Sequence, residues 1–277
     1  MSTAELAHSE AIAKRPKAAS PRVLHVAEDA GEGPVVLLIH GIASTAATFM
    51  HLSHLLTPHH RVISIELLGF GESPDGTTYS IEEHVDWLER TIRSLRLKTF
   101  TVIGHSMGGL LMARYARRNP NRVERLIMVN PPIFLDPEDI GDRTERLAAN
   151  AYLRSYQFLR ANKDFTLRNF KVVARLLPIK GALVVADHDW EPFKRTMRHC
   201  IEEQTTVSDV GSIDTPIDIV YCSTDYLVLN SAIRLIGRFR HVTLHRLRGG
   251  DHLINARVAR SIRNVLTHRA ITVSMVE

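Results

Sequence analysis

The 277-residue sequence predicts an α/β fold: a mostly parallel, doubly wound sheet with a helical cap inserted into it. Two observations predict the sheet. Mostly apolar runs recur at 34–39, 61–65, 101–103, 123–129 and 216–222, the first of them unbroken, and such runs fit strands buried on both faces. Between them the apolar residues fall every three or four positions, and strand alternating with helix is the pattern of parallel strands joined by helical crossovers. A third observation predicts the cap. From about 133 to 207 the alternation stops, and the chain turns to helical stretches rich in Arg, Leu, Tyr and Phe.

In chain order, residues 1–21 carry no convincing pattern and read as a mobile tail. The α/β core then runs over 22–132 and 208–277, with the cap at 133–207. Residues 23–28 fit an edge strand, 31–34 a turn, and 34–41 a buried strand ending in His40-Gly41. Phe49, Leu52, Leu55 and Leu56 mark a helix, and 67–74 a glycine-broken loop. Ser80 and Glu83 form a capping-box pattern before a helix striped by Ile81, Val85, Leu88, Ile92 and Leu95. The cap reads as helices at 144–161 and 192–204 with one short apolar run at 182–185. After it come a strand at 216–222, a helix at 232–239, a strand at 242–247 and a helix at 255–268.

Bulk properties exclude several classes. A formal charge of +5 is modest and spread along the chain, with no basic block dense enough to argue for nucleic acid. Two cysteines, Cys200 and Cys222, make no disulfide scaffold and suit a reducing compartment. No secretory leader and no membrane span is apparent, so the expected location is cytoplasmic. The oligomeric state is not legible.

The chemistry concentrates at Gly104-His105-Ser106-Met107-Gly108-Gly109. A serine between an apolar strand and a helix, with glycines two positions away on either side, fits a sharp turn that pushes Oγ out at the strand end. The helix N-terminus behind it offers free N–H groups. A serine hydroxyl needs a base and an orienting carboxylate to act as a nucleophile. Among fifteen histidines, His252 stands out, because its glycine loop follows the last strand and reaches the same sheet edge. Asp225 ends the preceding strand. Asp218 and Asp214 are the competing carboxylates, at the wrong end of that strand.

These pieces, with His40-Gly41 and Leu68-Gly69-Phe70-Gly71-Glu72-Ser73, resemble the α/β-hydrolase superfamily, particularly its capped esterase/lipase-like branch, over 23–132 and 208–268. The resemblance implies nucleophile Ser106, acid Asp225, base His252, and an oxyanion hole from the backbone N–H groups of Ile42 and Met107. It implies no metal and no organic cofactor. Glu66 stands where aspartate is usual in that superfamily and is expected to be structural. His40 and His105 are expected to hold loops, and the histidines at 51, 54, 59 and 60 lack the further ligand and open geometry that a metal site would want. Arg143, Arg146, Arg154, Arg160, Arg168 and Arg175 read as a solvated outer face, with steering of an acidic substrate as the other reading. Tyr152, Tyr156, Phe158, Phe165 and Trp190 either line a pocket or pack the cap. The expected function is a serine hydrolase acting on a carboxylic ester or similar small acyl substrate. The rivals are a carbon–carbon bond hydrolase with the same three residues, an acyltransferase, and a ligand-binding receptor of low turnover.

Overall fold

The computed structural model describes residues 23–134, 143–176, 190–225 and 227–268. The expected tail and the short apolar run at 182–185 lie outside the described residues.

Among the described residues, seven strands form one sheet. They are β1 (Val26–Ala30), β2 (Val35–Ile39), β3 (Arg61–Ile65), β4 (Phe100–His105), β5 (Val123–Val129), β6 (Ile217–Cys222) and β7 (Val242–Leu247). Their spatial order is β1-β3-β2-β4-β5-β6-β7. β1 runs antiparallel to β3, and every other pairing is parallel. β1 begins later than its sequence pattern suggests, because the amides of Leu24 and His25 donate to Thr91 Oγ1 and Ser73 Oγ instead of joining the ladder.

The apolar runs are buried on both faces, as their composition requires. Val36, Leu38, Val62, Ile103, Ile127 and Val220 pack on one side. Against them lie helices α1 (Met50–Leu56) and α9 (Ala256–Thr267), through Leu52, Leu56, Val258 and Ile262. Leu37, Ile39, Ile63, Val102, Leu126 and Ile219 face the other way. Helices α2 (Ile81–Ser94), α3 (Met107–Arg118) and α8 (Asn230–Ile236) cover that side. The expected stripe on α2 holds, with Ile81, Val85, Leu88 and Ile92 buried.

The capping box forms only in part. Ser80 Oγ accepts from the Glu83 amide at 3.2 Å, but the Glu83 carboxylate does not return to Ser80 N. It accepts instead from the amides of Thr77, Thr78 and Tyr79, three donors of the incoming loop. Burial works against ionisation of Glu83, yet those bonds outweigh it and hold its carboxyl below the usual range.

Between β5 and β6 the chain leaves the sheet for helices α4 (Arg143–Ala161), α5 (Lys163–Leu176), α6 (Trp190–Thr196), a wider π turn at Met197–Glu202, and α7 (Thr206–Gly211). This is the helical insertion expected from the break in alternation. Phe193, Met197, Cys200 and Ile201 join the core on the α2 and α3 side. Among the described residues no helix is long and apolar enough to cross a membrane. Both cysteines are free and buried.

The competing carboxylates have structural partners. Asp214 is exposed. Asp218 is buried in β6, where Oδ2 accepts from Arg125 Nε at 2.7 Å and Oδ1 lies 2.6 Å from His245 Nε2. Arg125 also donates to the carbonyls of Val265 and Leu266 at the end of α9. Burial opposes the charge on Asp218, but its bonds from His245 and Arg125 win and keep its carboxyl below the ordinary range. Removing one partner from such a network strands a buried charge. Arg125→Ala is expected to lower the unfolding free energy by ~3 kcal/mol, read as a shifted urea midpoint.

Candidate active site

Ser106 sits at the junction of β4 and α3 with φ 53° and ψ −126°, a left-handed conformation that is strained for a residue with a side chain. Packing holds it there. The Ser106 amide donates to Val129 O at 2.8 Å, and Ser106 O accepts from the Gly109 amide at 3.0 Å. The flanking glycines are required sterically. A Cβ on Gly104 would fall 2.5 Å from Gly109 N, and one on Gly108 only 2.2 Å from Ile39 O.

The structure brings Ser106, His252 and Asp225 together from three strand ends. His252 Nε2 lies 2.9 Å from Ser106 Oγ, and His252 Nδ1 lies 2.6 Å from Asp225 Oδ2. The Asp225 side chain is fully buried, and its other oxygen accepts from the Leu227 amide at 2.9 Å. A buried carboxylate so placed accepts from Nδ1–H, which leaves the Nε2 lone pair facing the serine hydroxyl. That is the tautomer in which an imidazole can take the serine proton.

Ile42 follows His40-Gly41 at the end of β2, and Met107 is the first residue of α3. An amide in that first position has no intrahelical acceptor. Gly41 packs so close to the nucleophile turn that a Cβ there would sit 2.8 Å from Ser106 Cβ. The Ile42 segment and the head of α3 therefore flank Ser106 from both sides. Glu66 braces this region. Its Oε2 accepts from the Glu72 amide at 2.7 Å, and its Oε1 lies 3.5 Å from the Ala46 amide. The longer side chain thus does a structural job.

Two histidines hold loops, as expected. His40 Nε2 accepts from the Leu67 amide at 2.9 Å while Nδ1 donates to Gly41 O at 2.7 Å. His105 Nε2 donates to the His252 carbonyl at 2.7 Å, and its ring lies 5.0 Å from the His252 ring. Its Nδ1 is buried without a partner.

Sequence reasoning missed Asn130. It ends β5 with φ 46°, and its side chain ties three strand ends together. Oδ1 accepts from the Cys222 amide at 2.9 Å, while Nδ2 donates to the carbonyls of Asp251 and His252 at 3.3 and 3.2 Å. The available signal was an Asn directly after an apolar strand and before Pro131-Pro132, a position where left-handed backbone suits Asn.

Of the aromatic residues read as pocket or packing, Tyr156 and Trp190 are buried against Phe134 and Phe193. Phe158 and Phe165 lie on the outer surface instead. Among the arginines, Arg160 pairs with Glu202, whereas Arg143, Arg154 and Arg168 are exposed. The side chains of Tyr152 and Arg175 lie outside the described residues. No group of three potential metal ligands occurs among the described residues.

A family model described as alpha/beta hydrolase fold matches residues 34–256. A curated relative named "Probable lysophospholipase BODYGUARD 1", from Arabidopsis thaliana, is 32% identical over 113 residues, 38% of this chain and 24% of its own length. Another from the same plant, "1-acylglycerol-3-phosphate O-acyltransferase", is 37% identical over 113 residues, 38% of this chain and 27% of its own length. The alignments thus span about a quarter of the length of these relatives. Among solved structures, the haloalkane dehalogenase DbeA from Bradyrhizobium elkani superposes with a TM-score of 0.67 at 18% identity, covering 88% of this chain and 97% of that one.

Burial keeps three histidines neutral and fixes a pH dependence. It lowers His40 and His84 to about 4. It lowers His105 to about 3, with the neighbouring His252 adding to the effect. As pH falls through ~6.5 the unfolded chain takes up these protons and the folded chain does not. Stability is therefore expected to drop from about pH 6.5 downward and to keep dropping to about pH 4, where His40 and His84 begin to protonate in the fold. Urea unfolding at a series of pH values checks this. His84→Gln is expected to flatten the slope by ~1.4 kcal/mol per pH unit.

Proposed function

The chain belongs to the alpha/beta hydrolase fold family, and within it we propose a serine hydrolase that cleaves a carboxylic ester or similar small acyl compound through an acyl-enzyme on Ser106. The observation that carries the reading is the relay of 2.9 Å from Ser106 Oγ to His252 Nε2 and 2.6 Å from His252 Nδ1 to Asp225. Family membership alone does not choose the reaction, because one fold hosts many chemistries.

In this mechanism His252 removes the hydroxyl proton as Ser106 Oγ attacks the carbonyl carbon. Asp225 keeps the imidazole in the reactive tautomer and balances the charge it gains. The amides of Ile42 and Met107 receive the developing oxyanion. His252 then protonates the leaving group, and water activated by the same nitrogen releases the acid. No step calls on a metal or an organic cofactor. The two free thiols are consistent with work in the reducing cytoplasm. The segment at 133–207 acts as the cap over this site.

Asn130 is a positioning residue in this reading, since it grips the backbone of His252. Three measurements test the scheme. Ser106→Ala is expected to lower kcat on a nitrophenyl ester on the order of 10⁵-fold or more and to abolish fluorophosphonate labelling, with circular dichroism unchanged. Asp225→Asn is expected to cost about 10⁴-fold. Asn130→Asp, which turns donors toward two carbonyls into an acceptor, is expected to lower kcat roughly 10- to 100-fold with KM within about twofold. Retained ester turnover in Ser106→Ala would refute the nucleophile assignment.

A further inference from the structure

One stripe of the outer face of the helical insertion carries apolar and cationic side chains, with exposed polar residues such as Ser155 and Gln157 at its edges. Along α4, Arg143, Leu147, Ala151, Arg154, Phe158 and Ala161 are spaced by four, four, three, four and three residues, and all six are exposed. The opposite side of the helix buries Ala149 and Tyr156. Leu147 is 63% exposed, Phe158 49%, and Phe165 on the adjoining α5 48%. The rings of Phe158 and Phe165 meet edge to face at 5.2 Å, so each remains half exposed even while covering the other. Arg168 lies one turn beyond Phe165 and is exposed.

The charges on this face are the second observation. Arg61, Arg118 and Arg160 all pair with carboxylates. Arg143, Arg154 and Arg168 make no hydrogen bond or ion pair among the described residues. The exposed carboxylate described on α4 and α5 is Asp164 alone. A symmetric contact with a second copy would set these unpaired arginines against one another. Phosphate groups above an apolar layer satisfy both features at once. Aromatic and aliphatic residues flanked by arginines are the composition of a helix lying in a lipid interface. Long arginine stems let the guanidinium stay at phosphate level while apolar neighbours sink below it.

We propose that this face docks on an anionic lipid surface, with Leu147, Phe158 and Phe165 entering the headgroup–acyl boundary and Arg143, Arg154 and Arg168 on lipid phosphates. The stripe is ~27 Å long at 1.5 Å per residue, enough to span several headgroups. The docking is independent of turnover, so it stands or falls apart from the hydrolase reading.

Co-sedimentation of the full chain with vesicles tests it, comparing phosphatidylcholine alone with phosphatidylcholine containing phosphatidylserine. Binding is expected to be about tenfold or more tighter on the anionic vesicles and to weaken as salt rises. Arg154→Glu/Arg168→Glu and Phe158→Ser/Phe165→Ser are each expected to weaken it about tenfold or more, with circular dichroism and thermal unfolding unchanged. Ser106→Ala is expected to bind like the native chain. Absence of binding to anionic vesicles, equal binding to both compositions, or indifference to both double variants overturns the proposal. So does a concentration-dependent dimer in sedimentation velocity that Phe158→Ser/Phe165→Ser abolishes.

Discussion

The backbone of Ser106 is held at a positive φ by its surroundings, and the rest of the site is arranged around that constraint. Such a conformation costs on the order of 1–3 kcal/mol and persists only where neighbours over-determine it. Here α3 packs so tightly on β4 and β2 that side chains at 104 and 108 would strike backbone atoms. β4 lies between β2 and β5, so the turn at its end has neighbours on both sides. Gly41 and Ile42 flank it from one, and Asn130 stands on the other. A turn at the sheet edge would have had at most one.

The proposed base reaches this turn from far away. β7 is three strands from β4, or ~14 Å at ordinary strand spacing. The imidazole of His252 crosses that gap on a glycine loop that has little rigidity of its own. What fixes the loop is the His252 carbonyl, which receives His105 Nε2 from the end of β4 and Asn130 Nδ2 from the end of β5. The group that carries the proton is therefore located by its main chain as well as by Asp225. Because His105 directly precedes Ser106, the loop that carries His252 is anchored beside the Ser106 turn.

Much of this was legible in the sequence for identifiable reasons. Strands buried on both faces announce themselves as mostly apolar runs, so β2 to β6 were readable from clusters of Val, Ile and Leu. Ser106 was readable because its glycines are sterically forced. Asp225 and His252 were readable by their places after strands. Asn130 was not, because its job depends on register between β5, β6 and the β7 loop, which pattern does not reveal. The Glu83 carboxylate went elsewhere than a capping box predicts because three loop amides compete for it. Phe158 and Phe165 read as pocket-lining or packing residues because hydrophobicity says only that a side chain avoids water, and helical spacing alone does not say which stripe of α4 faces in.

Several imidazoles crowd the strand ends, and only one is free to exchange a proton with Ser106. His40 spends both ring nitrogens on backbone groups, and burial lowers it to about 4. His105 spends its Nε2 on a carbonyl, and burial with the nearby His252 lowers it to about 3. Near neutral pH both are uncharged struts. His252 differs in kind: its side chain is 20% exposed, one nitrogen faces a buried carboxylate and the other faces the serine hydroxyl. A proton taken from Ser106 meets a counter-charge there and a route toward solvent, whereas on either neighbour it would be buried without a carboxylate beside it. Burial thus acts selectively on chemically identical rings, and in the proposed mechanism this selection leaves one histidine to serve as base and two as frame.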